Sequence, residues 1–149
     1  QPELADVVAR TFQQAMAPPV QQSDLDQLRQ RLHDFNAHVR QVAVHEIADF
    51  NNAEAFQLLL RALGDAAPSV KAAAARELGY RGDRRAAPAL IMALGDQDDD
   101  VRWAAVRALG NLREPASAEA LRAMQQDPSE RVRLAAADAL RRLLEDCDG

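Results

Sequence analysis

Apolar residues in this chain fall at helical spacing in pairs of short segments, and the paired pattern repeats. In the first segment Val39, Val42, Ala43, Glu46, Ile47 and Phe50 recur as Val70, Ala73, Ala74, Glu77, Leu78 and Arg81, and again as Val101, Ala104, Ala105, Ala108, Leu109 and Leu112. The glutamates and Arg81 aside, this is the i, i+3, i+4, i+7 spacing of one helix face. In the second segment Leu28, Leu59, Leu90 and Leu121 are followed four residues later by Leu32, Leu63, Leu94 and, as the exception, Gln125. Asp34, Asp65, Asp96 and Asp127 open successive units at a constant step of 31 residues, without a gap. The pattern predicts a single domain of about four and a half helical hairpins: a degenerate unit at 1–33, full units at 34–64, 65–95 and 96–126, and a partial one at 127–149.

Turn chemistry agrees with this phase. Gly79, Gly82, Gly110 and the Asn51-Asn52 pair are expected in the turns, as residues tolerant of positive φ. Pro68 and Pro128 fall at the start of first helices, with Asp127 placed to cap, and Pro88 and Pro115 fall near the start of second helices. A hairpin this short cannot bury its apolar stripes alone, so the units must stack side by side around one continuous core. The fold class expected is therefore all-α, an α-solenoid.

Composition narrows the function. The chain has 149 residues, 18 Lys+Arg against 23 Asp+Glu, and a formal net charge of −5. With a pI near 5.2 and no dominant basic run, nucleic acid is not the expected partner. Roughly a fifth of the residues are alanine, which favours closely packed helices. The single cysteine, Cys147, permits neither an internal disulfide nor a cysteine metal cluster. No apolar stretch approaches a membrane span and no basic-then-apolar leader is present, so a cytoplasmic protein without membrane contact is expected, while the start at Gln1 leaves a periplasmic or secreted one open.

The units resemble HEAT repeats, in particular the short HEAT-like units of phycobilisome lyases. Family units carry an aspartate in the inter-helix turn and, six residues later, an arginine preceded by valine. Here Asp34 precedes Val39-Arg40, Asp65 precedes Val70-Lys71, Asp96 precedes Val101-Arg102, and Asp127 precedes Val132-Arg133. The physical expectation is a structural ladder in which each cation reaches the aspartate of its own turn and that of the neighbouring unit. Lys71 departs from the pattern, and a compact ammonium cannot replace a bidentate fork, so the ladder is expected to be weakest there.

Catalytic and metal motifs fare poorly. His45-Glu46 resembles the paired His-Glu motifs with which HEAT-repeat deoxyhypusine hydroxylases hold two irons. The equivalent positions in the later units are Arg76-Glu77, Arg107-Ala108 and Asp138-Ala139, and one turn earlier the chain has Gln41-Val42, Ala72-Ala73, Trp103-Ala104 and Leu134-Ala135. His33 and His38 add no ligand spacing. The run Asp96-Gln97-Asp98-Asp99-Asp100 lacks the glycine and distal glutamate of a calcium loop and reads as helix capping. Acidic neighbours disfavour a Cys147 thiolate. No catalytic residue, metal or cofactor is expected, and the chain is read as no enzyme.

Surface remains. A helical wheel with Leu59 and Leu90 inward turns Gln57, Leu58, Arg61, Arg85, Ala89 and Met92 outward, on the face that the HEAT resemblance makes concave. Leu58 and Met92 between Arg61 and Arg85 would suit an acidic amphipathic helix or peptide. A second patch, Trp103 with Leu134, lies away from the core stripe, either as an interface anchor or as a cover for the stems of Arg102 and Arg133. The expected function is a non-catalytic protein-binding scaffold or adaptor. The resemblance adds a bilin lyase or lyase-like chaperone subunit as an alternative. A regulatory interaction domain of a larger protein is another, suggested by a last unit that leaves Leu143 and Leu144 poorly covered and open to a partner or a second copy.

Overall fold

In a computed structural model, residues 20–147 are described. They form α1 (Val20–Arg31), α2 (Ala37–Ile47), α3 (Ala53–Ala62), α4 (Pro68–Arg81), α5 (Ala87–Ala93), α6 (Asp99–Leu112), α7 (Ala118–Met124) and α8 (Glu130–Cys147). Short 3-10 turns at Arg84–Ala86 and Pro115–Ser117 lead into α5 and α7. The first 19 residues, and with them most of the expected degenerate unit, lie outside the described residues.

The repeat becomes two layers. The first helices α2, α4, α6 and α8 pack in sequence against one another, and each second helix, α1, α3, α5 and α7, packs on the first helix of the following unit. Between the layers runs one seam: Val70, Val101 and Val132 from the first helices and Leu25, Leu59, Leu90 and Leu121 from the second are all fully buried. Stability in such a stack comes from neighbour interfaces rather than from any one hairpin. The arrangement is the all-α solenoid that the periodicity predicts.

Turns follow local chemistry. The opening aspartates bend the chain: Asp34, Asp65, Asp96 and Asp127 each accept the N–H two residues on, at 2.8–2.9 Å. Asp127 therefore shapes the turn before α8, with Pro128 two residues ahead of the helix start. Asn36, Asn52 and Asp98 are the helix caps, and Pro68 takes the first position of α4.

The glycines divide differently from expectation. Gly79 and Gly110 are buried inside α4 and α6, where a side chain would collide with the next first helix. They set helix approach and do not make turns. The left-handed turn residues are Gly82, at φ 72°, and its repeat mate Arg113, at φ 52°.

Arg81, the odd member of its apolar stripe, also finds a role. Its guanidinium donates to the Phe50 and Asn52 carbonyls of the preceding turn at 2.8 and 3.1 Å.

Candidate functional site

The Asp-cation ladder is continuous and structural. Arg40 grips Asp65 with two bonds, at 2.9 and 3.1 Å, and donates to the Asp34 and Phe35 carbonyls of its own turn. Arg102 repeats this on Asp127, at 2.8 and 3.2 Å, and on the Asp96 and Gln97 carbonyls. Lys71 makes one bond, 2.5 Å to Asp96, and Arg133 binds the Asp127 and Pro128 carbonyls. Arg40, Lys71 and Arg102 thus reach the carboxylate of the next unit, and the three arginines bind the carbonyls of their own turns; contrary to expectation, no cation of the ladder pairs with the aspartate carboxylate of its own turn among the described residues.

The second-helix face carries less than its wheel promises. Leu58 is 4% exposed and belongs to the core, beside a recess of about 120 Å³ that Arg29, Leu32 and Arg61 also line. A wheel drawn for one helix omits the preceding unit, whose Arg29, Leu32 and His33 stand around the same recess. Ala89 is half-buried, Gln57 and Arg61 are exposed, and Met92 is 82% exposed. Arg85 lies over the Phe56 ring at 5.0 Å and pairs with Asp83 at 2.6 Å. The expected apolar patch therefore reduces to Met92.

The first-helix face is richer. Residues at i, i+4 and i+8 project along one side of each helix, giving Ala72, Arg76 and Tyr80 on α4, Trp103, Arg107 and Asn111 on α6, and Leu134, Asp138 and Arg142 on α8. Two recesses of about 300 and 330 Å³ flank α6 and share Trp103, Arg107 and Asn111. Their floors are small residues, Ala104 and Ala108 on one side and Gly110, Ala135 and Ala139 on the other. Tyr80 at one end is 72% exposed and Leu134 at the other 65%.

Trp103 itself is half-buried between cations. Arg107 stands 5.0 Å and Arg131 4.5 Å from its ring, close enough for cation–π attraction. The guanidiniums of Arg102 and Arg133, whose stems the ring was expected to cover, are held in the ladder. Arg131 also pairs with Asp100. The Arg141 hydrogen bond holds the Asp138 carboxyl below the usual carboxylate range against partial burial, with help from the fields of Arg142 and Arg107.

Tyr80, Arg76, Arg107, Arg131 and Arg142 were missed by sequence reasoning. The signal was present, because Arg76 and Arg107, and likewise Tyr80, Asn111 and Arg142, occupy the same repeat positions.

The remaining candidates are spoken for locally. His45 Nδ1 meets Glu77 at 2.8 Å across α2 and α4, while Glu46 pairs with Arg31 at 3.0 Å, so the two members of the His-Glu motif face different neighbours. The carboxylates of Asp98, Asp99 and Asp100 gather at the start of α6, where Asp98 accepts the N–H groups of Asp100 and Val101. At the far end, Leu143 is buried, contrary to expectation, and Leu144 is 60% exposed beside an apolar groove of about 580 Å³ between α7 and α8. No helix among the described residues is long and apolar enough to cross a membrane.

Comparison with known proteins adds the family. The HEAT-repeat pattern matches residues 25–98 and 59–141. Among solved structures, human deoxyhypusine hydroxylase in complex with glycerol is 29% identical, with a TM-score of 0.73 over 85% of this chain. The match spans 46% of the hydroxylase chain, less than half its length. The CpcE–CpcF complex of phycocyanin lyase from a Nostoc species is 21% identical, with a TM-score of 0.57 over 81% of this chain and 65% of its own. A designed armadillo repeat protein is 26% identical, with a TM-score of 0.54 over 78% of this chain and 63% of its own. No curated protein sequence matches significantly. Repeat step, ladder, two-layer stack and family match agree, and the chain belongs to the HEAT-repeat family.

Proposed function

We propose that this chain is a non-catalytic protein-binding scaffold whose main contact surface is the recess on its first-helix face. One observation carries the reading: Trp103, the sole tryptophan of the chain, sits among arginines between two open recesses with Tyr80 and Leu134 exposed at their ends. Tryptophan, tyrosine and arginine are the residues most enriched at the energetic centres of interfaces. The non-catalytic part of the reading is supported by local engagement of the candidate groups, since His45 hydrogen-bonds Glu77, Glu46 pairs with Arg31 and Asp98 caps α6.

A second reading places the partner on the second-helix face, and the exposure of Met92 favours it. The two are separable by capture from a lysate of the source cells. Tyr80→Ser with Leu134→Asp should lose the partner, whereas Arg61→Glu with Met92→Asp should keep it. The reverse result moves the site to the second-helix face, and unchanged capture by both variants counts against either. The lyase alternative, suggested by the phycocyanin lyase likeness, predicts a change in visible absorbance when a linear tetrapyrrole is added.

A further inference from the structure

The geometry points to the kind of partner this recess selects: a short extended peptide segment with two or more carboxylates around one aromatic or long aliphatic side chain. This rests on the reading of the recess as a binding surface and adds its chemistry.

Charge gives the first half. Arg76, Arg107, Arg131 and Arg142 line the two recesses against one carboxylate, Asp138. Asp138 also serves Arg141, and Asp100 answers Arg131 from the rim. Neither Arg76 nor Arg107 has an ion pair among the described residues, so two exposed guanidiniums stand ready for carboxylates. This cationic excess sits on a chain of net charge −5, leaving the remainder more acidic still. The net negative charge of the chain repels a long polyanion as a whole, while a short segment with few carboxylates meets mainly the arginines of the recess.

Shape gives the second half. The alanine and glycine floors leave depth beside the Trp103 ring, and Tyr80 and Leu134 offer apolar walls, so a bulky side chain can enter and leave water. Tyr80, Trp103 and Leu134 stand on three adjacent helices. With axes about 8–10 Å apart, a ligand touching all three spans roughly 20 Å, about six residues of extended chain.

The test is selection of a displayed library of random octapeptides on the folded chain, followed by titration of the selected synthetic peptides using Trp103 emission. Selected peptides should share at least two acidic residues and one aromatic or aliphatic anchor. Their Kd should rise at least tenfold in Arg76→Glu with Arg107→Glu and severalfold in the milder Arg76→Gln with Arg107→Gln. Neutral or basic selected peptides that still lose binding in Tyr80→Ser with Leu134→Asp would overturn the partner class and leave the recess standing. Selection no better on the chain than on that recess variant would overturn the recess itself. Tighter binding of a single-stranded oligothymidylate than of any selected peptide would also overturn the proposal.

Discussion

A Cβ built on Gly79 would lie 2.7 Å from the Ala108 Cα and 2.9 Å from its Cβ, so α4 and α6 meet backbone to backbone at this pair. Gly79→Ala must push the helices apart, a packing cost of about 1–3 kcal/mol, offset in part by about 1 kcal/mol of helix propensity. The variant should be less stable by up to about 2 kcal/mol in urea unfolding. Gly110→Ala, with contacts of 3.0 and 3.3 Å to Ala139, should be close to neutral. Gly82→Ala meets nothing within 4 Å, and its φ of +72° alone should cost about 1–2 kcal/mol. A stabilised Gly79→Ala would refute the close approach.

Lys71 is the one ladder cation without a fork. Replacing it with arginine should restore the second bond to Asp96 and the turn-carbonyl bonds that Arg40 and Arg102 make. The expected gain is about 1 kcal/mol, read as a rise of about 2–4 °C in Tm for a chain of this size. A lower Tm would show that the site between α4 and Asp96 is shaped for the ammonium.

Acid should dissolve the ladder in a defined window. Burial pushes the Asp127 and Asp96 carboxyls up, but the bonds and fields of Arg102 and Lys71 outweigh it and hold both below the ordinary value of 3.8. A carboxylate depressed in the folded state stabilises fully above its unfolded pKa, and that stability drains away as pH falls through the folded one. Stability from these groups should therefore be flat from neutrality down to about pH 5 and fall below about pH 4. Asp127→Asn should be weaker at pH 7 and show a shallower acid limb in urea titrations.

Ser117 is fully buried, and its hydroxyl has no hydrogen-bond partner among the described residues. The same repeat position is Ala86, also fully buried. Ser117→Ala removes an unsatisfied group at little volume cost and should stabilise by about 1 kcal/mol. A loss in thermal unfolding would mean that the hydroxyl is satisfied in solution.

The fold was legible because its signals are local and repeat. Valine, leucine and aspartate return in register, and each copy supports the others. What a single helix cannot report is its neighbour. Leu58 looked outward on a wheel because the preceding unit was not on the wheel, and Gly79 and Gly110 read as turn residues because their partners, Ala108 and Ala139, are 29 residues downstream. Trp103 packs half-buried against the edge of the core, and its companions were assigned by adjacency. Arg107 one turn on and Arg131 from the next helix are the residues that geometry delivers.

Arg40 closes on Asp65 and Arg102 on Asp127 through the same pair of bonds. Such a joint is indifferent to which module follows. Splicing out the stretch from Asp65 to Gly95 would present Asp96 to Arg40 in place of Asp65, and duplicating it would add one more rung. Module number can then drift through duplication and loss without a new fastening having to be invented, each change lengthening or shortening the array by one standard step.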